Sequence, residues 1–371
     1  MSENDRDAAF MSAALALGRR NLGRAAPNPA VGALVVQGGV IVGRGFTAVG
    51  GRPHAETLAL SSAAAAARGA TLYVTLEPCS HHGETPPCVD AIIAAGVARV
   101  VTAMDDPDPR VAGRGHAFLR AAGVEVTTHV LEREARRDHL GHLLRVTQGR
   151  PMVTLKLART PDGYAAGAVH DQRLNVTGPL ADAYTHMQRA LHDAVMVGAG
   201  TAREDDPLLT VRLPGMEEEK RLRVVLDTRL ALSPRSRFGA TARATPTLLI
   251  VGADVTDAAI KGFVAATGAE VARVQTDLLG RVALPAALGE LARRGATRVF
   301  CEGGPRLAES LITGGFADEV ILHTGAQPFG GAGRLALRPA AQAVLEDPHF
   351  YRLAESARLG PDEMTRRERI A

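Results

Sequence analysis

Short apolar stretches of strand length alternate with helix-length segments along much of the chain, and this alternation constrains the fold more than any other feature. Phe10, Ala13, Ala14 and Leu17 recur at helical spacing, which predicts an amphipathic helix near 7–20. Val31 to Val36 and Val40 to Val42 flank Gly38-Gly39, the pattern of a hairpin. His54 to Ala67 is alanine-rich and free of proline, which favours a helix. Thr71 to Leu76 reads as a strand, and Glu77 to Pro87 as a loop. A helix follows at Ala91 to Ala95, a strand at Val97 to Met104, a helix at Gly115 to Ala122 and a strand at Val124 to Val130. Leu131 to Val146 then predicts one more helix. The order implies an α/β layered domain with helices on both faces of a sheet.

Gly149-Arg150-Pro151 interrupts the pattern before a new strand at Met152 to Leu157. We therefore expect two domains, 1–148 and 149–371, ordinary sizes for a chain of 371 residues. In the second, strands are expected at Ala194 to Val197, Leu222 to Leu226, Pro246 to Val251, Thr297 to Cys301 and Glu319 to His323. Helices are expected at Pro179 to Leu191, Pro285 to Arg293 and Pro305 to Ile312, and an exposed loop at Pro214 to Lys220. Lys+Arg 43 against Asp+Glu 40 leaves +3, so no large basic field points to nucleic acid or an anionic membrane. No apolar run has the length of a membrane span, and the acidic opening Met1 to Asp7 is unlike a signal peptide. Cys79, Cys88 and Cys301 cannot form a disulfide framework, which fits a cytoplasmic protein.

Three residues carry the first chemical signal. His54, at a predicted helix start, and Cys79 and Cys88, at the two ends of the following loop, offer one nitrogen and two thiolates. That donor set suits Zn²⁺ with a fourth tetrahedral position left for water, whose pKa the metal lowers towards roughly 7. Glu56, two residues after the histidine, is placed to carry protons between that water and a leaving amine. The chemistry these residues point to is hydrolytic deamination. Eight residues separate the cysteines, unlike the Pro-Cys-x-x-Cys of nucleoside deaminases.

The run Thr75-Leu-Glu-Pro-Cys-Ser-His-His-Gly-Glu-Thr-Pro-Pro-Cys88, with Pro27-Asn-Pro-Ala-Val-Gly32 and Pro53-His-Ala-Glu56, resembles the family of bifunctional riboflavin-biosynthesis deaminase/reductases over nearly the whole chain. The resemblance implies a cytidine-deaminase-like three-layer domain followed by a dihydrofolate-reductase-like α/β domain. It makes His54, Cys79 and Cys88 the ligands of one Zn²⁺ per chain and Glu56 catalytic, with Asn28 and His82 near the substrate. The substrate implied is a phosphorylated pyrimidine, 2,5-diamino-6-ribosylamino-4(3H)-pyrimidinone 5′-phosphate. At Glu84 the chain departs from the basic residue usual in the family.

In the second half, Lys156 is one of only three lysines and stands on a predicted strand. Gly198 to Arg212 begins where another strand ends, the place where α/β sheets bind ligands. Cys301-Glu-Gly-Gly-Pro305 runs from a strand through a glycine pair into a helix, an arrangement that offers free N–H groups to an anion. No Gly-x-Gly-x-x-Gly follows a strand, so a Rossmann domain is not indicated. By the same resemblance, Lys156 is catalytic, and Arg189, Leu209, Arg212 and Glu302 line the substrate site. Ala158, Asn175, Thr201, Asp205, Thr228 and the run Gly304, Pro305, Arg306, Leu307, Ala308, Glu309, Ser310 would hold NADPH for reduction of the ribosyl group to ribityl. Asn175 stands where the family has tryptophan, a residue this chain lacks entirely. Two rival readings follow: a deaminase whose second domain is degenerate or structural, and a base deaminase acting on nucleic acid. The low aromatic content, 4%, counts against the latter. The resemblance also suggests a homo-oligomer built through the reductase domain.

Overall fold

Gly38 and Gly39 both adopt positive φ (57° and 81°), the requirement of a two-residue hairpin turn, and they join β1 (Gly32–Gln37) to β2 (Val40–Phe46). The structure is a computed structural model that describes residues 2–81, 86–167 and 176–370, and the chain divides into two units, Met1–Pro151 and Met152–Ala371. In the first unit the hairpin continues into β3 (Thr71–Val74), β4 (Arg99–Thr102) and β5 (Glu125–Thr127), in the order β2-β1-β3-β4-β5. β1 is antiparallel to both its neighbours, and β3, β4 and β5 run parallel.

Small residues set how closely the helices approach this sheet. A Cβ on Gly43 or Gly45 of β2 would drive into the carbonyls of Ala59 and Ala55, so the helix Ala55–Ala63 lies directly on the strand. The helix Glu3–Arg19 rests against β1 in the same way, through Gly32 and Ala14. It begins in a capping box between Ser2 and Asp5. Two expectations shift. The alanine-rich helix ends at Ala63, because Ala64 takes φ 48° and a 3₁₀ turn, Ala64–Ala67, follows. The helix expected at Leu131 to Val146 is two, Glu132–Asp138 and Leu140–Gln148. At the break His139 is buried with Nε2 3.1 Å from Thr75 Oγ1, a tertiary contact that overrides local pattern.

The second unit is built on β6 (Met152–Arg159), β8 (Ala194–Gly198), β9 (Leu222–Leu226), β10 (Thr247–Gly252), β11 (Glu270–Val274), β12 (Arg298–Cys301), β13 (Glu319–Thr324), β15 (Tyr351–Leu359) and β16 (Asp362–Arg369). Their order is β11-β10-β9-β8-β12-β6-β13-β16-β15, while β7 (Tyr164–Gly167) pairs with β14 (Gly333–Leu335) in a separate ribbon. From β11 to β13 all pairings are parallel; β16 and β15 close the edge antiparallel. One buried layer, with Leu155, Val299, Cys301 and Val320, covers one face, and another, with Val195, Phe300 and Ile321, covers the opposite face. Parallel strands deliver their carboxyl ends to one rim, so the residues ending β6, β8, β9, β12 and β13 gather there.

Candidate active sites

His54 is the residue before the helix Ala55–Ala63, and its side chain makes no capping bond, which leaves the ring free to turn towards the cysteines. Its Nδ1 lies 3.3 Å from Cys88 Sγ and 3.7 Å from Cys79 Sγ. Cys88 opens the helix Cys88–Ala94 and donates its backbone N–H to Cys79 Sγ at 3.2 Å. One donor atom from each residue lies within 4.8 Å of the others. Zn–N and Zn–S bonds of about 2.05 and 2.3 Å give tetrahedral edges of about 3.6 Å, close to the 3.3 and 3.7 Å from His54 Nδ1 to the two sulfurs, so the donor set fits zinc.

The electrostatics suit a cation. The hydrogen bond from Cys88 and those from His54 and the Cys88 amide pull the Cys79 thiol down to about 4, against its burial. Cys88 is pushed up in turn, first by its hydrogen bond to Cys79 and then by burial. The hydrogen bond to Cys79 raises His54. Glu56, 4% exposed, is raised by burial and by the neighbouring Cys79, a direction that favours a carboxyl able to hold a proton. Asn28 donates through Nδ2 to Gly51 O at 2.8 Å and stands 3.3 Å from His54 Nε2, so the loop carrying it borders the metal ligands.

Sequence reasoning passed over Glu77. Its buried carboxylate accepts four backbone N–H groups, from Asp106 (3.2 Å), Gly113 (3.0 Å), Gly115 (2.9 Å) and His116 (3.3 Å). A Cβ at Gly115 would run into the carbonyl of Pro78, the residue before Cys79. The turn is thus clamped onto the strand end that delivers a ligand. The available signal was a carboxylate immediately before Pro-Cys. Glu77 also lies near Asp105 and His116, but its oxygens are already filled by amides.

In the second unit, Arg189 on the helix Pro179–Ala190 forms a two-pronged pair with Glu302, Nε–Oε1 2.6 Å and Nη2–Oε2 2.9 Å, and donates Nη1 to Thr210 O at 2.9 Å. Burial works to raise Glu302, but the charge and hydrogen bonds of Arg189, with Lys156, hold it below the usual carboxylate range. Burial lowers Lys156, opposed by Glu302, which places the ammonium beside that pair. Arg212 is lowered by burial and by Arg189, so it belongs to the same group. Leu209 is buried at φ 51° between them in sequence. Lys156, Arg189, Leu209, Arg212 and Glu302 therefore converge on the rim.

The cofactor residues are more spread. Gly304 caps the helix Pro305–Thr313 and donates its N–H to Thr201 Oγ1 at 3.1 Å, bringing the ends of β8 and β12 together. A Cβ on Gly303 would press on the Leu307 side chain, so glycine here leaves bare backbone at the helix start, a cradle that fits a pyrophosphate. Arg306 is exposed, whereas Leu307 packs on the core and Ala308 is fully buried within it. Glu309 pairs with Arg338 at 2.5 Å, and Ser310 bonds back to Arg306 O. Ala158 is the last but one residue of β6, opposite His323. Thr228 spends its hydroxyl on the Val282 amide (3.0 Å), and Asp205 closes the short helix Ala199–Asp205 at the surface. His82, Glu84 and Asn175 lie outside the described residues. His186 and His323, which sequence reasoning missed, adjoin the Glu302 group. Cys301 is fully buried in β12, as expected of a strand residue.

Comparisons with known proteins follow the same division. Residues 4–104 match the cytidine and deoxycytidylate deaminase zinc-binding region, and residues 151–362 match the RibD C-terminal domain. The chain is similar to riboflavin biosynthesis protein RibD of Bacillus amyloliquefaciens, 38% identical over 95% of this chain and 94% of the relative. Its identity to the protein of that name in Escherichia coli K12 is 35%, over 96% and 97%. Among solved structures it resembles Acinetobacter baumannii RibD (TM-score 0.85, 30% identity, complete coverage of both chains). It also resembles a diaminohydroxyphosphoribosylaminopyrimidine deaminase/5-amino-6-(5-phosphoribosylamino)uracil reductase of Thermotoga maritima (TM-score 0.84, 31% identity, complete coverage of both). Among the described residues no helix is long and apolar enough to cross a membrane.

Proposed function

Because the chain belongs to the RibD family of riboflavin-biosynthesis enzymes, which join a zinc-dependent deaminase to an NADPH-dependent reductase, we propose a residue-level assignment of both reactions. Residues 1–148 remove the exocyclic amine of 2,5-diamino-6-ribosylamino-4(3H)-pyrimidinone 5′-phosphate. Residues 149–371 reduce the ribosyl group of the deaminated product to ribityl. The observation that carries the reading is the convergence of His54, Cys79 and Cys88 within 4.8 Å beside the buried Glu56.

His54 Nδ1 and the two thiolates hold the metal, which when bound supplies an activated water at neutral pH. Glu56, its proton affinity raised by burial, is the residue that would hold a proton beside the metal ligands and hand it to the departing nitrogen. Asn28, fixed by Gly51 O, orients the pyrimidine. In the reductase, bound NADPH would supply the hydride for reducing the ribosyl group. Gly304 to Ser310, with Ala158, Asn175, Thr201, Asp205 and Thr228, make up its binding surface. Glu302 holds Arg189 in place, so that Arg189 and Arg212 face the substrate phosphate in a fixed geometry. Lys156, its charge weakened by burial, positions and polarises the ribosylamino end. We further read the protein as a cytoplasmic homo-oligomer without a nucleic-acid partner, supported by the resemblance, the net charge of +3 and the sheet edge at β15.

Metal removal tests the assignment. Dialysis against a strong chelator is expected to abolish ammonia release while NADPH-dependent reduction of the deaminated compound continues, and Zn²⁺ restores the first reaction. Ammonia release that persists without metal overturns the zinc assignment. Light scattering tests the oligomer.

A further inference from the structure

A buried cation without a carboxylate lies against the loop that leads to Arg212. Arg223 is fully buried on β9, two residues from Val225 and so on the same face of the sheet, its guanidinium 5.2 Å from the Phe238 ring centroid. Burial pushes it down to about 10, so it stays charged at neutral pH. Among the described residues its donors go only to neutral oxygens. Nε and Nη2 reach Thr247 Oγ1 (3.1 and 2.6 Å), and Nη2 also faces the carbonyls of Phe238 and Thr245 (3.3 Å each). Nη1 donates to Thr241 Oγ1 at 2.9 Å and to Leu208 O at 3.3 Å. A charge buried without a counter-ion is costly unless its donors are used, and the planar fork of arginine serves this many acceptors at once.

The Leu208 carbonyl connects this cation to the site. The plane of that peptide sets φ at Leu209, 51°, a left-handed value that a leucine keeps only where its surroundings hold it. Leu209 is buried in the same layer as Val225 and Phe238. The residues after it are tied to the helix Pro179–Ala190: Thr210 O accepts from Nη1 of Arg189 at 2.9 Å, and the Arg212 N–H donates to His186 Nδ1 at 3.1 Å. Upstream, Asp206 also has positive φ (37°), and its carboxylate accepts the Arg237 amide at 2.8 and 3.1 Å. The chain is thus left-handed at both Asp206 and Leu209, and Arg223 holds the carbonyl between them.

We propose that Arg223 is a positioning residue of the reductase: it fixes the Leu208 carbonyl and the left-handed turn at Leu209, so that Thr210 and Arg212 meet the helix bearing Arg189 and Arg212 is held at the phosphate subsite. The assignment rests on the reading that Arg189 and Arg212 receive the phosphate. Arg223 acts through the loop rather than on the ligand.

Lysine at this position keeps the charge but not the fork, so it cannot serve Thr247, Thr241 and Leu208 together. In the full-length, zinc-loaded protein, R223K is expected to bind NADPH as the wild type does, to raise KM for the deaminated phosphoribosyl substrate about tenfold and to leave kcat little changed. Its preference for the phosphorylated over the dephosphorylated substrate should fall by the same factor. In the R212A background R223K should add less than about a twofold change, because both act through one contact. Full additivity of the two, or an unchanged phosphate preference in R223K, would make Arg223 a residue of the fold alone and overturn the inference. Where R223K loses NADPH binding, the neutral R223Q is read in its place, and loss in both would overturn the inference as well. R212A alone tests the underlying reading. If it abolishes the phosphate preference while R223K keeps it, only the Arg223 assignment falls. If R212A leaves that preference intact, the phosphate binds elsewhere and both fall.

Discussion

The two sites are assembled in opposite ways. The zinc centre takes its ligands and its acid from one stretch, His54 to Cys88, held over β2 by a helix that approaches closely because Gly43 and Gly45 have no side chain. Its shape is imposed by backbone, down to the amides that converge on Glu77. The reductase group is gathered from the ends of strands far apart in sequence, from Lys156 to His323, and holds its geometry through charge, chiefly the Arg189–Glu302 pair. A site built on backbone should tolerate the loss of a neighbouring charge; one built on opposed charges should not.

That contrast can be broken most directly at Glu302. Glu302→Gln leaves Arg189 buried without its carboxylate, and removing one partner of a buried pair costs about 3 kcal/mol. Denaturant unfolding should show this loss in the reductase transition, with NADPH oxidation gone and ammonia release intact. Equal loss of both activities would mean that the units are not independent.

A smaller effect is expected at Glu77. Glu77→Gln offers a weaker acceptor and an N–H to a ring of four donors, so the clamp on Pro78 loosens. Loss of such support around a metal lowers its affinity by roughly tenfold, measurable by competition with a chromophoric chelator. Unchanged affinity would show that the ligand loop holds itself.

The acid response sharpens the comparison further. His192 and His323 of the second unit are each pushed down to about 3 by burial. Unfolded histidine binds its proton near 6.5, so between about 6.5 and 3 the unfolded chain carries more protons, and stability falls as pH falls, by about 1.4 kcal/mol per pH unit for each ring. In the first unit His116 is lowered by burial, but Glu77 and Asp105 oppose the shift. The reductase unit is therefore expected to unfold first on acidification, and His323→Leu to make its pH slope shallower. An unchanged slope would contradict the assignment of that ring.

Legibility in the sequence follows the same divide. The metal site could be read because ligand chemistry needs those residue types at short spacing, and the hairpin because Gly38-Gly39 permits little else. β15 and β16, at the end of the sheet, went unread because they carry Arg and Glu where a buried strand would carry valine. The helix break at His139 is a contact with Thr75, invisible to periodicity. His186 was missed because a histidine one turn from an arginine is common; its meaning appears only when the Arg212 amide reaches its ring. Glu302 and Arg189 were reached through family resemblance, since nothing in their spacing announces a pair.

The central claim is that one chain deaminates and then reduces, at separate sites. The most direct measurement follows ammonia release and NADPH oxidation together in Glu56→Gln supplied first with the diamino substrate and then with its deaminated product. Loss of a positioned general acid–base should cut ammonia release by at least about a hundredfold. NADPH oxidation should then be nearly absent with the diamino substrate and return to the wild-type rate with the deaminated product. NADPH oxidation from the diamino substrate without ammonia, or none from either compound, would contradict the account.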